Sequence, residues 1–88
     1  MALLLYDGLT RDPRIARLDD EASWVWLRLI SACARNNTDT LTLDQATDVL
    51  TDRFIMRAFD QLEAAELLTR DGQSYILRAR GDLWEIET

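Results

Sequence analysis

Arg57-Ala-Phe-Asp-Gln-Leu-Glu-Ala-Ala-Glu-Leu-Leu-Thr-Arg-Asp-Gly-Gln-Ser-Tyr-Ile-Leu77 changes period partway along. Through Glu66 the apolar residues Ala58, Phe59, Leu62 and Ala65 recur at helical spacing, with Ile55 one turn earlier. From Leu67 that spacing gives way to two short runs, Leu67 to Arg70 and Ser74 to Leu77, separated by Asp71-Gly72. Asp-Gly between such runs signals a hairpin, because a tight turn asks for positive φ at its central residues. The stretch therefore predicts a helix from about Arg53 to Glu66 that runs directly into a β-hairpin.

The segments before it supply the rest of the order. Thr42 and Gln45 have capping-box spacing, which opens a helix through Leu50 with Leu43, Ala46, Val49 and Leu50 on its buried side. Thr51-Asp52 then makes a tight turn and a fresh cap. Thr38 to Leu43 reads as a brief strand, and Thr40 to Thr42 is the part expected to pair with the hairpin. The longest helix begins at Asp19 as N-cap, with Asp20 and Glu21 in the first turn, where the helix dipole favours acid. Its stripe is Ala22, Val25, Trp26, Leu29, Ile30 and Cys33, and Asn36-Asn37 ends it. Asp12-Pro13 starts a short helix to Arg17. Ala2 to Tyr6 is a strand or an extended arm, and residues 81–88 add an edge strand or form a loose acidic tail. The expectation is an α+β, mostly α, single domain over 1–88, with arm 1–11 and tail 81–88. Its order is that of a winged helix-turn-helix: three main helices plus a C-terminal hairpin wing.

Composition agrees with an ordinary soluble globular domain: 88 residues, 48% hydrophobic and 30% charged. The longest apolar runs, Ala2 to Tyr6 and Trp24 to Leu27, are too short to span a bilayer. No basic residue precedes Leu3-Leu4-Leu5, so the start does not read as a signal peptide. One cysteine, Cys33, allows no internal disulfide, and a reducing cytoplasm is the expected location. Histidine is absent, which removes the commonest general base and zinc ligand. Cys33 falls on a core stripe, and the glycines Gly8, Gly72 and Gly81 are too scattered for a phosphate loop. Asp19-Asp20-Glu21 reads as a capped helix start rather than a metal site. The chain is therefore expected to be no enzyme, with no cofactor and no metal.

Arg14-Ile-Ala-Arg-Leu-Asp-Asp-Glu-Ala22, Trp24-x-Trp26 and Asn37-Thr-Asp39 resemble the opening of winged-helix modules in phage and prophage replication-initiation proteins. Arg57 to Leu68, followed by Asp71-Gly72 and Tyr75-Ile76, is similar to the third helix and wing of those modules. The likeness runs from about Asp12 to Leu77. It departs at Ala65-Glu66 and Leu41-Thr42, where such modules often carry glycine. The resemblance implies a phage or mobile-element protein that acts on double-stranded DNA in replication or transcription control.

Charge pulls the other way. Ten arginines against sixteen acids give −6, the wrong sign for a free-standing DNA binder. Residues 1–51 hold five arginines and eight acids, net −3. Residues 52–80 hold five of each, and residues 81–88 add three acids. Within the neutral part, Arg53 and Arg57 lie four apart on one helix face, Gln61 continues that face, and Arg70 sits on the wing. These four are the candidate DNA-reading residues, arginine for guanine edges or phosphate and glutamine for adenine. Asp60 and Glu63 lie within helical reach of Arg53 and Arg57, so surface ion pairs of those two arginines are the alternative reading. Asp44 and Asp48 on the second helix would repel phosphate. A lone monomer is expected to bind DNA weakly, which calls for a homodimer or a partner protein.

The competing expectation is an acidic inhibitor, of the anti-host-defence, anti-CRISPR or DNA-mimic kind. It would occupy the nucleic-acid-binding surface of a basic host protein. Asp39, Asp44, Asp48, Asp82, Trp84, Glu85 and Glu87 would carry that contact. Trp84 has a second reading, folded back under the wing. Trp26 belongs to the core stripe, and Trp24, two residues away, points elsewhere, toward the N-terminal arm.

Overall fold

The computed structural model describes residues 2–49 and 55–87, without the side chains of residues 47–49 and 55. The order is β1 (Ala2–Leu5), a 3-10 turn (Asp7–Arg11), α1 (Pro13–Ala16), α2 (Asp20–Asn36), β2 (Thr40–Thr42), α3 (Leu43–Val49), α4 (Ile55–Ala64), β3 (Leu68–Asp71), β4 (Ser74–Leu77) and β5 (Trp84–Glu87). The class is α+β, with two small antiparallel sheets, β2-β4-β3 and β1-β5.

The helix starts follow their caps. Asp12 accepts from the Arg14 backbone N–H with Pro13 in the first turn, and Asp19 accepts from the Ala22 N–H at 2.8 Å. At α3 the capping box closes in both directions. The Gln45 N–H donates to Thr42 Oγ1 at 3.2 Å, and the Thr42 N–H donates to Gln45 Oε1 at 2.9 Å. The turn and cap expected at Thr51-Asp52 lie outside the described residues.

The helix ends are built alike but carry unlike residues. At the end of α2 the Thr38 N–H reaches the Cys33 carbonyl and the Asn37 N–H the Ala34 carbonyl, with Asn37 left-handed at φ 51°. Beyond α4 the Leu67 N–H reaches the Leu62 carbonyl and the Glu66 N–H the Glu63 carbonyl, with Glu66 at φ 63°. Both are Schellman closures, which favour glycine at the left-handed position and tolerate asparagine. Glutamate is a poor occupant, because its Cβ crowds the carbonyl there. Glu66→Gly is expected to raise stability by about 1 kcal/mol, read as a higher midpoint in urea with an unchanged slope.

The hairpin turns one residue later than Asp71-Gly72 suggests. Asp71 pairs with Ser74, so Gly72 and Gln73 form the two-residue loop, and of these only Gly72 has positive φ, at 62°. Positive φ at the first central residue alone is the II′ requirement, and II′ twist suits a hairpin as well as I′ does. β2 adds to β4 as expected, with Leu41 opposite Tyr75.

The core is assembled around α2, which packs against α3, α4 and both sheets. Ala22, Val25, Trp26, Leu29, Ile30 and Cys33 are buried, as are Ala58, Phe59, Leu62 and Ala65. Leu43, expected inside, is 43% exposed at the first position of α3.

At the two ends of the chain the strand readings are the ones realised, and what the sequence did not name is their partner. The arm and the acidic tail pair with each other, Leu3 opposite Ile86 and Leu5 opposite Trp84. Strand alternation then turns Trp84 and Ile86 inward and Glu85 and Glu87 outward. No helix among the described residues is long and apolar enough to cross a membrane.

Candidate functional site

The structure brings the expected reading face only partly together. Arg53 lies outside the described residues. Arg57 is exposed on α4 and has no ion pair among the described residues. Gln61 faces α2: its Nε2 donates to Asp19 Oδ2 at 2.7 Å, and its Oε1 accepts from the Asp19 N–H at 3.1 Å. It thereby closes the N-terminus of α2, and its amide is spent on both sides. Arg70 bridges Asp60 at 3.0 Å and Glu63, and its guanidinium lies 5.8 Å from the Phe59 ring centroid. A guanidinium held by two carboxylates offers little charge to a phosphate.

The acids of the competing reading are dispersed and partly neutralised. Glu85 pairs with Arg80, and Asp39 stands close enough to the same arginine to help hold its proton. Asp82 shares Arg14 with Asp12, at 2.6 Å and 2.9 Å. Asp44 and Glu87 are exposed, on α3 and the outer face of β5. The Asp48 side chain lies outside the described ones. Trp84 leaves the set: it is fully buried, and its indole N–H donates to the Arg78 carbonyl at 2.8 Å. The correction has a simple cause, the pairing of β5 with β1, which puts Trp84 on the core side of its strand.

A cleft of about 380 Å³ opens beside the hairpin, lined by Arg14, Glu63, Glu66, Thr69 and Arg78 among others. Its two guanidiniums and two carboxylates offset one another, which favours neither anion nor cation. Among the described residues no group of three His, Cys, Asp or Glu side chains is placed to hold a metal ion. The Cys33 thiol is buried, and burial, with help from Asp39, pushes its pKa up to about 12. It is no thiolate at neutral pH.

The ion pairs make the fold sensitive to acid. The Arg14 side chain holds Asp12 down at about 2, and Gln61 and the Ala22 N–H hold Asp19 below the ordinary carboxylate range. Arg80 and the Ile86 N–H do the same for Glu85. Each carboxylate favours the folded chain above its unfolded pKa near 4 and gives up that stability as pH falls through its lower folded value. The melting temperature is therefore expected to fall steadily from about pH 4.5 toward 2, and Asp12→Asn to flatten part of the slope, as followed by circular dichroism.

Sequence reasoning set Trp24 apart from the core stripe but gave it no functional role. It is 58% exposed, with the Arg28 guanidinium 5.5 Å from its ring centroid. The signal was present in the i, i+4 spacing of Trp24 and Arg28 on the side of α2 opposite its apolar stripe. Comparisons with protein-family models, with curated proteins and with solved structures give no match.

Proposed function

We propose that the chain is a non-enzymatic module on the winged helix-turn-helix plan that docks on a basic, nucleic-acid-binding protein and takes the place of nucleic acid there. The observation that carries this reading is the internal commitment of the would-be DNA-reading side chains. Gln61 is spent on Asp19, and Arg70 on Asp60 and Glu63. The net charge of −6 favours a basic partner over a polyanion. Support for the plan comes from the order α2, β2, α3, α4 and hairpin, with β2 added to β4. The lack of histidine and the inert Cys33 thiol support a binding role over a catalytic one. A DNA-contact reading keeps one observation in its favour, the exposed Arg57 on α4.

A salt titration of labelled duplex DNA by fluorescence anisotropy separates the two, with the wild type beside Arg53→Ala/Arg57→Ala. The expected result is no binding at micromolar protein even at low salt. The second arm isolates basic proteins retained by the immobilised chain, identifies them, and measures their DNA binding with and without the chain. Competition that weakens in Asp44→Asn/Glu87→Gln supports the proposal. Duplex binding that falls steeply with salt and is lost in the double arginine variant overturns it.

A further inference from the structure

The outward face of α2 carries a pattern that nothing in the core or the wing uses. Glu21, Trp24, Arg28, Ser31 and Arg35 recur at three- and four-residue intervals and so form one stripe along the helix. Glu21, Trp24 and Arg35 are exposed, and Arg28 and Ser31 are half-buried. The stripe begins acidic, is aromatic and small in the middle, and ends basic. Neither Glu21 nor Arg35 has an ion-pair partner among the described residues, whereas Arg14, Arg70 and Arg80 all do.

We infer that this face is an interface between two copies of the chain, packed as antiparallel α2 helices about a two-fold axis near Arg28. An isologous contact must be self-complementary, each residue meeting the one equally far on the other side of the axis. Glu21 and Arg35 stand at equal distance from Arg28, so each Glu21 meets the second copy's Arg35, at both ends of the pair. Trp24, four residues before the axis, packs one residue off register beside the second copy's Ser31, three residues after it, whose small side chain leaves room for an indole that would otherwise stay in water. The two Arg28 side chains approach each other at the axis. Each is already turned onto its own Trp24 ring, which spreads their charge over an aromatic face. A nucleic acid fits the stripe less well, because Glu21 and the neighbouring Asp20 sit at one end of it.

Sedimentation equilibrium over a range of protein concentrations, with circular dichroism to confirm folding, tests the pairing through Arg35→Glu, Glu21→Arg and their equimolar mixture. In each single variant both ends of the homodimer bring like charges together, and self-association is expected to weaken about tenfold or more. In the mixture both ends are again opposite in sign, so a heterodimer is expected to form about as tightly as the wild-type dimer. Trp24→Ala is expected to weaken association in every background, and added salt to weaken the wild type. A wild type that is monomeric throughout the range overturns the inference and leaves the face to another partner. So do single variants that associate as the wild type does. A mixture no tighter than its parts, both folded, overturns the antiparallel register.

Discussion

Trp84→Ala is expected to remove about 3–5 kcal/mol of folding stability, the ordinary cost of deleting a large buried aromatic side chain. A domain of this size holds roughly 4–13 kcal/mol in total, so the variant is expected to lose a large part of its stability and to melt well below the wild type. Three contributions act together. Trp84 is fully buried and one of the largest side chains in the core. Its indole N–H satisfies the Arg78 carbonyl, which would be left without that donor. It also lies opposite Leu5, so its loss loosens the strand pair that joins the two ends of the chain. Trp84→Phe separates these contributions. It keeps most of the apolar volume and loses the hydrogen bond, and is expected to cost about 1–2 kcal/mol in urea unfolding. A Trp84→Ala protein that melts within a few degrees of the wild type would mean that β5 is not part of the cooperative core.

The helices and the hairpin were legible because each is announced locally. Asp19, Asp12 and the Thr42–Gln45 pair are short-range caps, and the stripe from Ala22 to Cys33 depends on periodicity alone. The β1-β5 sheet was not legible, because it joins residues at opposite ends of the sequence. Nothing within Ala2–Leu5 or Trp84–Glu87 names the other as partner. Three acids within the last eight residues look like a solvated tail until alternation is applied with a partner in place. Trp84 and Ile86 then become core, and the acids become the outer face.

The candidate site was less legible, for a related reason. Helical spacing correctly predicted that Arg57 and Gln61 share a helix, but it could not show which side chains a second element would claim. Asp19 claims Gln61 from 42 positions away, joining α4 to the start of α2. Asp60 and Glu63 claim Arg70 from the last turns of α4, only ten and seven residues back, so that pair was within reach of a charge-pattern reading. The same arithmetic applies to the acids: Arg14 and Arg80 draw on carboxylates brought together by tertiary structure. What tertiary structure leaves unclaimed is the outward face of α2, where the spacing alone holds the pattern.

Phe59→Ala tests how the hairpin is held to the helices. Phe59 is 2% exposed, on the buried face of α4, and its ring meets Tyr75 of β4 with centroids 4.9 Å apart at 35°. The same ring lies under the Arg70 guanidinium of β3. One side chain of α4 thus touches both strands of the hairpin. The truncation is expected to cost about 3–5 kcal/mol, with Phe59→Leu nearer 1–2 because it keeps volume and loses only the ring contacts. In a double-mutant cycle with Tyr75→Leu, the coupling is expected to be about 0.5–1.5 kcal/mol, the usual worth of an aromatic pair beyond its buried area. Hydrogen exchange localises the effect. In Phe59→Leu the amides of β3 and β4 are expected to lose protection before those of α2, since α2 has its own stripe of buried contacts. Equal loss across α2 and the hairpin would mean that the two open together, and that Phe59 serves the core as a whole rather than the hairpin's attachment to it.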